Sequence, residues 1–150
     1  METIQYKHTT PIQLRFNDFD TLGHVNNSVY LSFYDLGKTD YFAQVLPELT
    51  IKSRTGVVIV DIHVSFMVSV YPGEQVAVQT SVVEIGNKSF KMRQQLIDTV
   101  TAEVKCVCET VMVCFNAVEK SSCQVPDEWR KVIAEFEENQ ELLIVHEHSN

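Results

Sequence analysis

The chain has 150 residues, 45% of them hydrophobic, and its 12 Lys+Arg against 20 Asp+Glu leave a formal charge of −8. That size and apolar content suit one ordinary core and exclude a disordered or fibrous chain. The acidic balance argues against nucleic acid or an anionic membrane surface as main partner, since either favours a basic face, and no apolar run in the sequence approaches the ~20 residues that span a bilayer. Residues 1–7 lack a basic segment followed by an apolar one, so no secretory signal is expected and the chain reads as cytoplasmic.

In chain order, residues 11–19 read as a short strand, with Leu14 and Phe16 two apart, stopped by the polar turn-forming stretch 18–24. A long helix follows. Asn26, Asn27 and Ser28 are good N-cap residues, and Tyr30, Phe33, Tyr34, Gly37 and Tyr41 then recur on one helical stripe, with Pro47 as a stop. Glycine costs about 1 kcal/mol relative to alanine inside a helix, so Gly37 marks a place where another backbone comes close.

From Gly56 the period changes to two. Residues 57–66 form a half-buried strand with Val58, Val60, Ile62, Val64 and Phe66 on one face and Asp61, His63 and Ser65 on the other. Residues 71–74 make a turn, and strands at 75–85, 89–97 and 103–117 follow, the first two joined by a tight turn at Gly86-Asn87-Lys88. Pro126 opens a short helix with Trp129, Val132, Ile133 and Phe136 on one side. This order predicts an α+β fold, an antiparallel sheet of meandering strands wrapped around one long helix, in a single domain over residues 1–150. The last strand carries apolar groups on both alternations, Val111, Val113 and Phe115 against Met112 and Cys114, which predicts burial of part of the sheet by another copy of the chain.

Cys106, Cys108, Cys114 and Cys123 match no paired zinc framework and read as core packing. His146 and His148, on a terminal segment, make no closed metal site, and none is expected elsewhere.

Residues 15–30 carry the chemistry. Asp18 and Asp20 fall just before the N-terminus of a core helix, where backbone N–H groups are unpaired donors with partial positive charge. Such an end polarises a carbonyl, and a carboxylate beside it can attack that carbonyl or direct a water at it. Both aspartates are also ordinary turn and capping residues.

Asp18-Phe19-Asp20, Gly23-His24-Val25-Asn26-Asn27 and Tyr30, followed by residues 33–42, resemble the opening of the 4-hydroxybenzoyl-CoA thioesterase family of hotdog-fold acyl-CoA thioesterases. The likeness continues in Pro72-Gly73-Glu74 and in Gly86-Asn87-Lys88-Ser89-Phe90, so it covers residues 10–118, with a C-terminal helix at 126–138 beyond it. The resemblance implies hydrolysis of a thioester of coenzyme A or acyl carrier protein by a homodimer or homotetramer, with the CoA thioester as substrate and no metal or redox cofactor. It implies that Asp20 is the nucleophile or general base and that the N–H groups around Asn26 and Asn27 hold the thioester oxygen. Lys88 and Ser89 fall where relatives contact CoA, and Lys91 and Arg93 extend them into a small basic row.

His24 reads first as a loop histidine packing against the helix start, and beside that as a residue that orients the loop or tunes the aspartate; Tyr30 is both a stripe residue and a candidate substrate contact. Asp35 is a rival carboxylate on the helix, three residues before Lys38 and so placed for an ion pair; Asp35-Leu36-Gly37-Lys38 departs from the Glu-x-Ala-Arg expected there. Two other readings stand beside hydrolysis. One is an acyl-CoA or acyl-carrier binding protein without chemistry. The other is a dehydratase, which needs a histidine paired with a carboxylate at the helix, whereas His24 lies in the loop and His63 on a strand.

Overall fold

The computed structural model describes residues 3–49 and 53–145; His146 and His148 lie outside them. The elements run β1 (His8–Ile12), α1 (Tyr30–Val45), β2 (Thr55–Phe66), β3 (Val76–Ile85), β4 (Ser89–Asp98), β5 (Val104–Asn116), the two-residue β6 (Ser121–Ser122) and α2 (Asp127–Glu137). Short 3-10 turns precede α1 at Phe16–Asp18 and Asn27–Val29 and follow α2 at Gln140–Leu143. The strands form an antiparallel sheet in the order β1-β3-β4-β5-β2, with β6 on β5.

The aromatic stripe of α1 faces this sheet as its spacing predicts: Tyr30, Phe33, Tyr34 and Tyr41 are all buried. Gly37 lies against β3 and β4, where a Cβ would sit 2.6 Å from Val78 Cγ1 and 2.9 Å from Gln94 Nε2. That contact divides the core. On the side of the helix start, Val25, Tyr30, Phe33 and Tyr34 pack with Val70, Val78, Leu96 and Cys106. On the other side Tyr41, Val45 and Leu46 pack with Phe90, Met92, Met112 and Ile133 of α2. Between them Gln94, fully buried, donates to Thr80 Oγ1 and to the Tyr34 carbonyl, each at 3.0 Å. A buried amide needs such partners because its desolvation is otherwise uncompensated.

The first strand corrects its predicted position. It spans His8–Ile12 and ends before Phe16, which sits on a 3-10 turn and is 93% exposed. The meander holds for β3, β4 and β5, but β2 pairs with β5 at the far edge, so residues 67–75 cross one end of the sheet instead of making a simple turn. The facing of β2 is corrected too. A bulge between Ile59 and Asp61 shifts the register, so Val57 and Ile59 pair with Cys114 and Met112, while Ile62, Val64 and Phe66 pair with Thr110, Cys108 and Cys106. Opposite residues of an antiparallel pair share a face, so the inward set changes phase at Val60, and Val58 faces outward with Val113. At the sheet edge, Val58, Val60, Ile62 and Phe66 remain exposed.

Candidate active site

The loop before α1 folds back on itself. Phe19 and Val25 form an antiparallel bridge, Asn26 N–H donates to the Asp18 carbonyl at 2.9 Å, and Asp20 N–H donates to the His24 carbonyl at 3.1 Å. Asp20 and His24 are therefore opposite one another at the tip, on the face away from the fully buried Val25. The tip is closed by Gly23 N–H donating to the Asp20 carbonyl at 3.1 Å, with Gly23 at φ +87°, a left-handed conformation that favours glycine. His24 Nδ1 lies 3.2 Å from the Val25 carbonyl, and its ring meets Tyr71 edge-on at 6.4 Å.

The three candidate carboxylates differ in what they touch. Asp18 is fully buried, accepts from Arg15 N–H at 2.8 Å and is paired with the Arg15 guanidinium at 2.9 Å, so it closes its own turn. Asp35 is exposed and pairs with Lys38 at 3.6 Å, as their spacing predicts. Asp20 is half-buried; its Oδ1 accepts from Leu22 N–H at 2.9 Å. Its Oδ2 has no hydrogen-bond or ion-pair partner among the described residues.

The helix start offers fewer donors than the sequence suggests. Asn26 N–H is taken by Asp18, Ser28 N–H by Asn26 Oδ1 at 2.9 Å, and Val29 N–H by the Asn26 carbonyl at 2.9 Å. Asn27, the first residue of its 3-10 turn, has no acceptor within that turn and keeps its N–H unbonded among the described residues. The expectation of two donors at Asn26 and Asn27 is thus corrected to one, because the turn that brings Asp18 to Asn26 consumes the other.

Tyr30 lies in the core, 3% exposed, with its ring edge-on to Phe33 and Phe66. Burial raises its phenol pKa, while a hydrogen bond from the Val70 backbone acts in the opposite direction. Tyr71, read from the sequence only as the first residue of a turn, meets the loop at His24, and Val70, which the sequence did not single out, bonds to the loop at Val25 and packs with Tyr30. Their signal was the Pro72-Gly73-Glu74 segment that follows them.

Lys88 and Ser89 occupy the β3–β4 hairpin, where Gly86 N–H donates to the Ser89 carbonyl at 2.7 Å. The Lys88 side chain is exposed. The basic row expected beyond it is not open: Lys91 pairs with Glu84 and Glu109 at 3.7 and 3.6 Å, and Arg93 with Glu109 at 3.1 Å. Pairing of β4 with β3 brings in Glu84 and pairing with β5 brings in Glu109, which a single-strand reading does not see. This hairpin lies at the opposite end of β4 from the Asp20 loop: Val25 packs with Leu96, whereas Phe90 packs with Leu46 and Met112. Ten strand residues separate the two ends, about 30 Å. One copy therefore does not bring Asp20 and Lys88 together.

His63 stands on β2 opposite Glu109. No group of three metal-ligating side chains occurs among the described residues. No helix among them is long and apolar enough to cross a membrane.

A curled antiparallel sheet around one long helix, followed by a C-terminal helix, is the architecture of hotdog thioesterases. The chain belongs to the thioesterase-like superfamily, whose signature matches residues 14–135. It is similar to a thioesterase from Thermus thermophilus, solved with coenzyme A and zinc, at 25% identity and TM-score 0.80 over 89% of this chain and 96% of that one. It is also similar to a predicted thioesterase from Bacillus stearothermophilus, at 28% identity and TM-score 0.77 over 86% and 95% of the two chains. A 1,4-dihydroxy-2-naphthoyl-CoA thioesterase from Synechocystis shares the fold at 16% identity and TM-score 0.74, over 85% of this chain and 95% of that one. No curated protein sequence matches the chain.

Proposed function

We propose that the protein hydrolyses acyl-CoA thioesters, with Asp20 as nucleophile or general base and Asn27 N–H polarising the carbonyl. The observation that carries this reading is the contrast among carboxylates: Asp18 and Asp35 are paired with cations, while Asp20 keeps an unpartnered oxygen beside a helix start with an unpaired N–H. A thioester carbonyl accepting from Asn27 N–H gains electrophilicity as negative charge develops on its oxygen. Asp20 then takes a proton from a water that attacks the carbonyl carbon, or attacks that carbon itself to form an anhydride that water opens. In either case the C–S bond breaks, and the acid and the CoA thiol are released. His24, opposite Asp20, orients the loop.

The site is completed by a second copy. β2 pairs with β5 on one side and leaves its other edge unpaired among the described residues. Its Thr55 end lies beside the Lys88 hairpin through β5, and its Phe66 end lies against Tyr30. Two such edges meeting about a two-fold axis run antiparallel, which sets the Lys88 end of one copy beside the Asp20 end of the other. Lys88 and Ser89 of the second copy then face the phosphates of a CoA whose thioester lies at Asp20. The whole chain acts as one domain in this arrangement.

A second reading is favoured by one observation. The Leu22 N–H bond makes Asp20 a turn residue as well, which is all that an acyl-CoA or acyl-carrier binding protein requires. Thiol release from acetyl-, hexanoyl-, palmitoyl- and benzoyl-CoA separates the two. Turnover of at least one supports hydrolysis, and tight calorimetric binding with no thiol released supports the binding protein.

A further inference from the structure

The crossing segment from β2 to β3 touches the Asp20 loop at two points and the start of α1 at a third place. The Val70 carbonyl accepts from Val25 N–H at 2.9 Å, Tyr71 meets the His24 ring edge-on, and Val70 packs in the same cluster as Tyr30. Val25 and Val70 are both fully buried. The loop is therefore set against this segment and not only against its own turn.

The segment is in turn held by one lysine. Lys105 on β5, with its side chain 4% exposed, lies 2.8 Å from Glu74 Oε2 and 3.1 Å from Glu103 Oε1, and donates to the Ser69 carbonyl at 3.2 Å. Its own carbonyl accepts from Met67 and Val68 N–H at 3.0 and 2.9 Å. Glu74 closes the turn from the other side: its Oε1 accepts from Tyr71 N–H at 2.6 Å, while its N–H donates to the Tyr71 carbonyl at 3.2 Å. Gly73, at φ +89°, lets the chain double back between them. Desolvation cancels much of the attraction in a buried ion pair, so such a pair is poor evidence of stability alone and fixes geometry instead.

We propose that Lys105 and Glu74 are positioning residues for the reaction: their ion pair holds residues 69–74 as a strut that sets the Asp20 loop and the start of α1 relative to each other. The proposal rests on the thioesterase reading for its kinetic consequence. Its structural consequence stands without it.

The test compares wild type with Lys105→Met, Lys105→Arg and Glu74→Gln, the last keeping an oxygen for Tyr71 N–H while removing the charge opposite Lys105. Amide hydrogen exchange at Val25 and Asn26 is read against Val78 and Met92 in β3 and β4. Loss of the ammonium is expected to speed exchange at Val25 about tenfold or more while the β3 and β4 amides keep their protection. In thiol release kcat falls about 10- to 100-fold with KM little changed, as for misplacement of a catalytic group by a fraction of an ångström to one ångström. Lys105→Arg restores most of both. Should Lys105→Met not fold, Glu74→Gln carries the same expectations at smaller amplitude. Unchanged exchange at Val25 in both variants overturns the strut, and so does loosened exchange with unchanged kcat. Absence of thiol release by wild type overturns the thioesterase reading alone, and the exchange arm then decides the strut.

Discussion

Asn26 donates its backbone N–H to the Asp18 carbonyl at 2.9 Å, and this one bond decides which amide at the helix start is open to a substrate. The same bond closes the loop that presents Asp20. Asn27 is left as the donor, and its position allows a test that spares the fold. Proline is tolerated at the first helical position, and Asn26, at φ −63° and ψ 134°, already has the extended backbone that precedes a proline. Asn27→Pro should keep the helical circular dichroism of wild type and lose about 10²–10³-fold in kcat, the usual effect of removing an oxyanion donor. Asn27→Ala keeps the N–H and should stay within about threefold of wild type.

Gly37 has a packing reason. Alanine there would gain about 1 kcal/mol in helix propensity, but its Cβ would sit 2.6 Å from Val78 Cγ1 and 3.2 Å from Thr80 Oγ1. Overpacking of that kind costs about 1–3 kcal/mol. Gly37→Ala should lower the unfolding free energy by a net amount on the order of 1 kcal/mol, read as a lower urea midpoint at unchanged slope.

Thiol reactivity should separate the cysteines. Burial pushes the Cys106 thiol up to about 11 and the Cys114 thiol up to about 12, and Cys108 is raised for the same reason, whereas Cys123 is only half-buried. Only the thiolate reacts, and a raised pKa keeps its population low until the pH approaches that value. At pH 8 an aromatic disulfide reagent should label Cys123 first in the native protein and all four cysteines in denaturant. Labelling of Cys106 or Cys114 should rise with pH, without levelling off between pH 7 and 9.

The β2 edge should carry the association of two copies. Val58 and Val60 are 47% and 57% exposed on it. Aspartate at both positions should leave the protomer folded, since exposed substitutions usually cost within about 0.5 kcal/mol. Sedimentation should then show a monomer where wild type is a dimer or larger, with turnover lost in step because Asp20 and Lys88 no longer share a site.

Much of this fold is legible along the chain because its determinants are local. The α1 stripe, the Asn26 cap and the Gly86 hairpin depend on residues a few positions apart, and each stands where periodicity and turn chemistry put it, whereas Gly37 is met by the side chains of Val78, Gln94 and Thr80 and not by the backbone its presence predicted. The facing of β2 is not legible, since the bulge at Val60 that reverses its phase arises from pairing with β5. The same holds for the neutralised Lys91 and Arg93, whose partners lie on other strands. The buried charges are hidden for a related reason. Glu137 on α2 accepts from Tyr41 at 2.6 Å and from Val82 N–H at 2.9 Å, and Arg130 donates to the Gly86 carbonyl at 2.7 Å, contacts no local pattern announces. In the site, spacing located both aspartates without separating them and the resemblance implied Asp20; their three-dimensional partners add that Asp18 is paired with Arg15 while Asp20 is not.

The central claim is that Asp20 performs chemistry and does not merely shape a turn. Asn at this position keeps a carbonyl oxygen for Leu22 N–H, so Asp20→Asn preserves the turn and removes only the carboxylate. Steady-state thiol release from the best acyl-CoA substrate should fall about 10³-fold or more in kcat for Asp20→Asn, with the unfolding transition unchanged. A variant that turns over within about threefold of wild type would contradict the account.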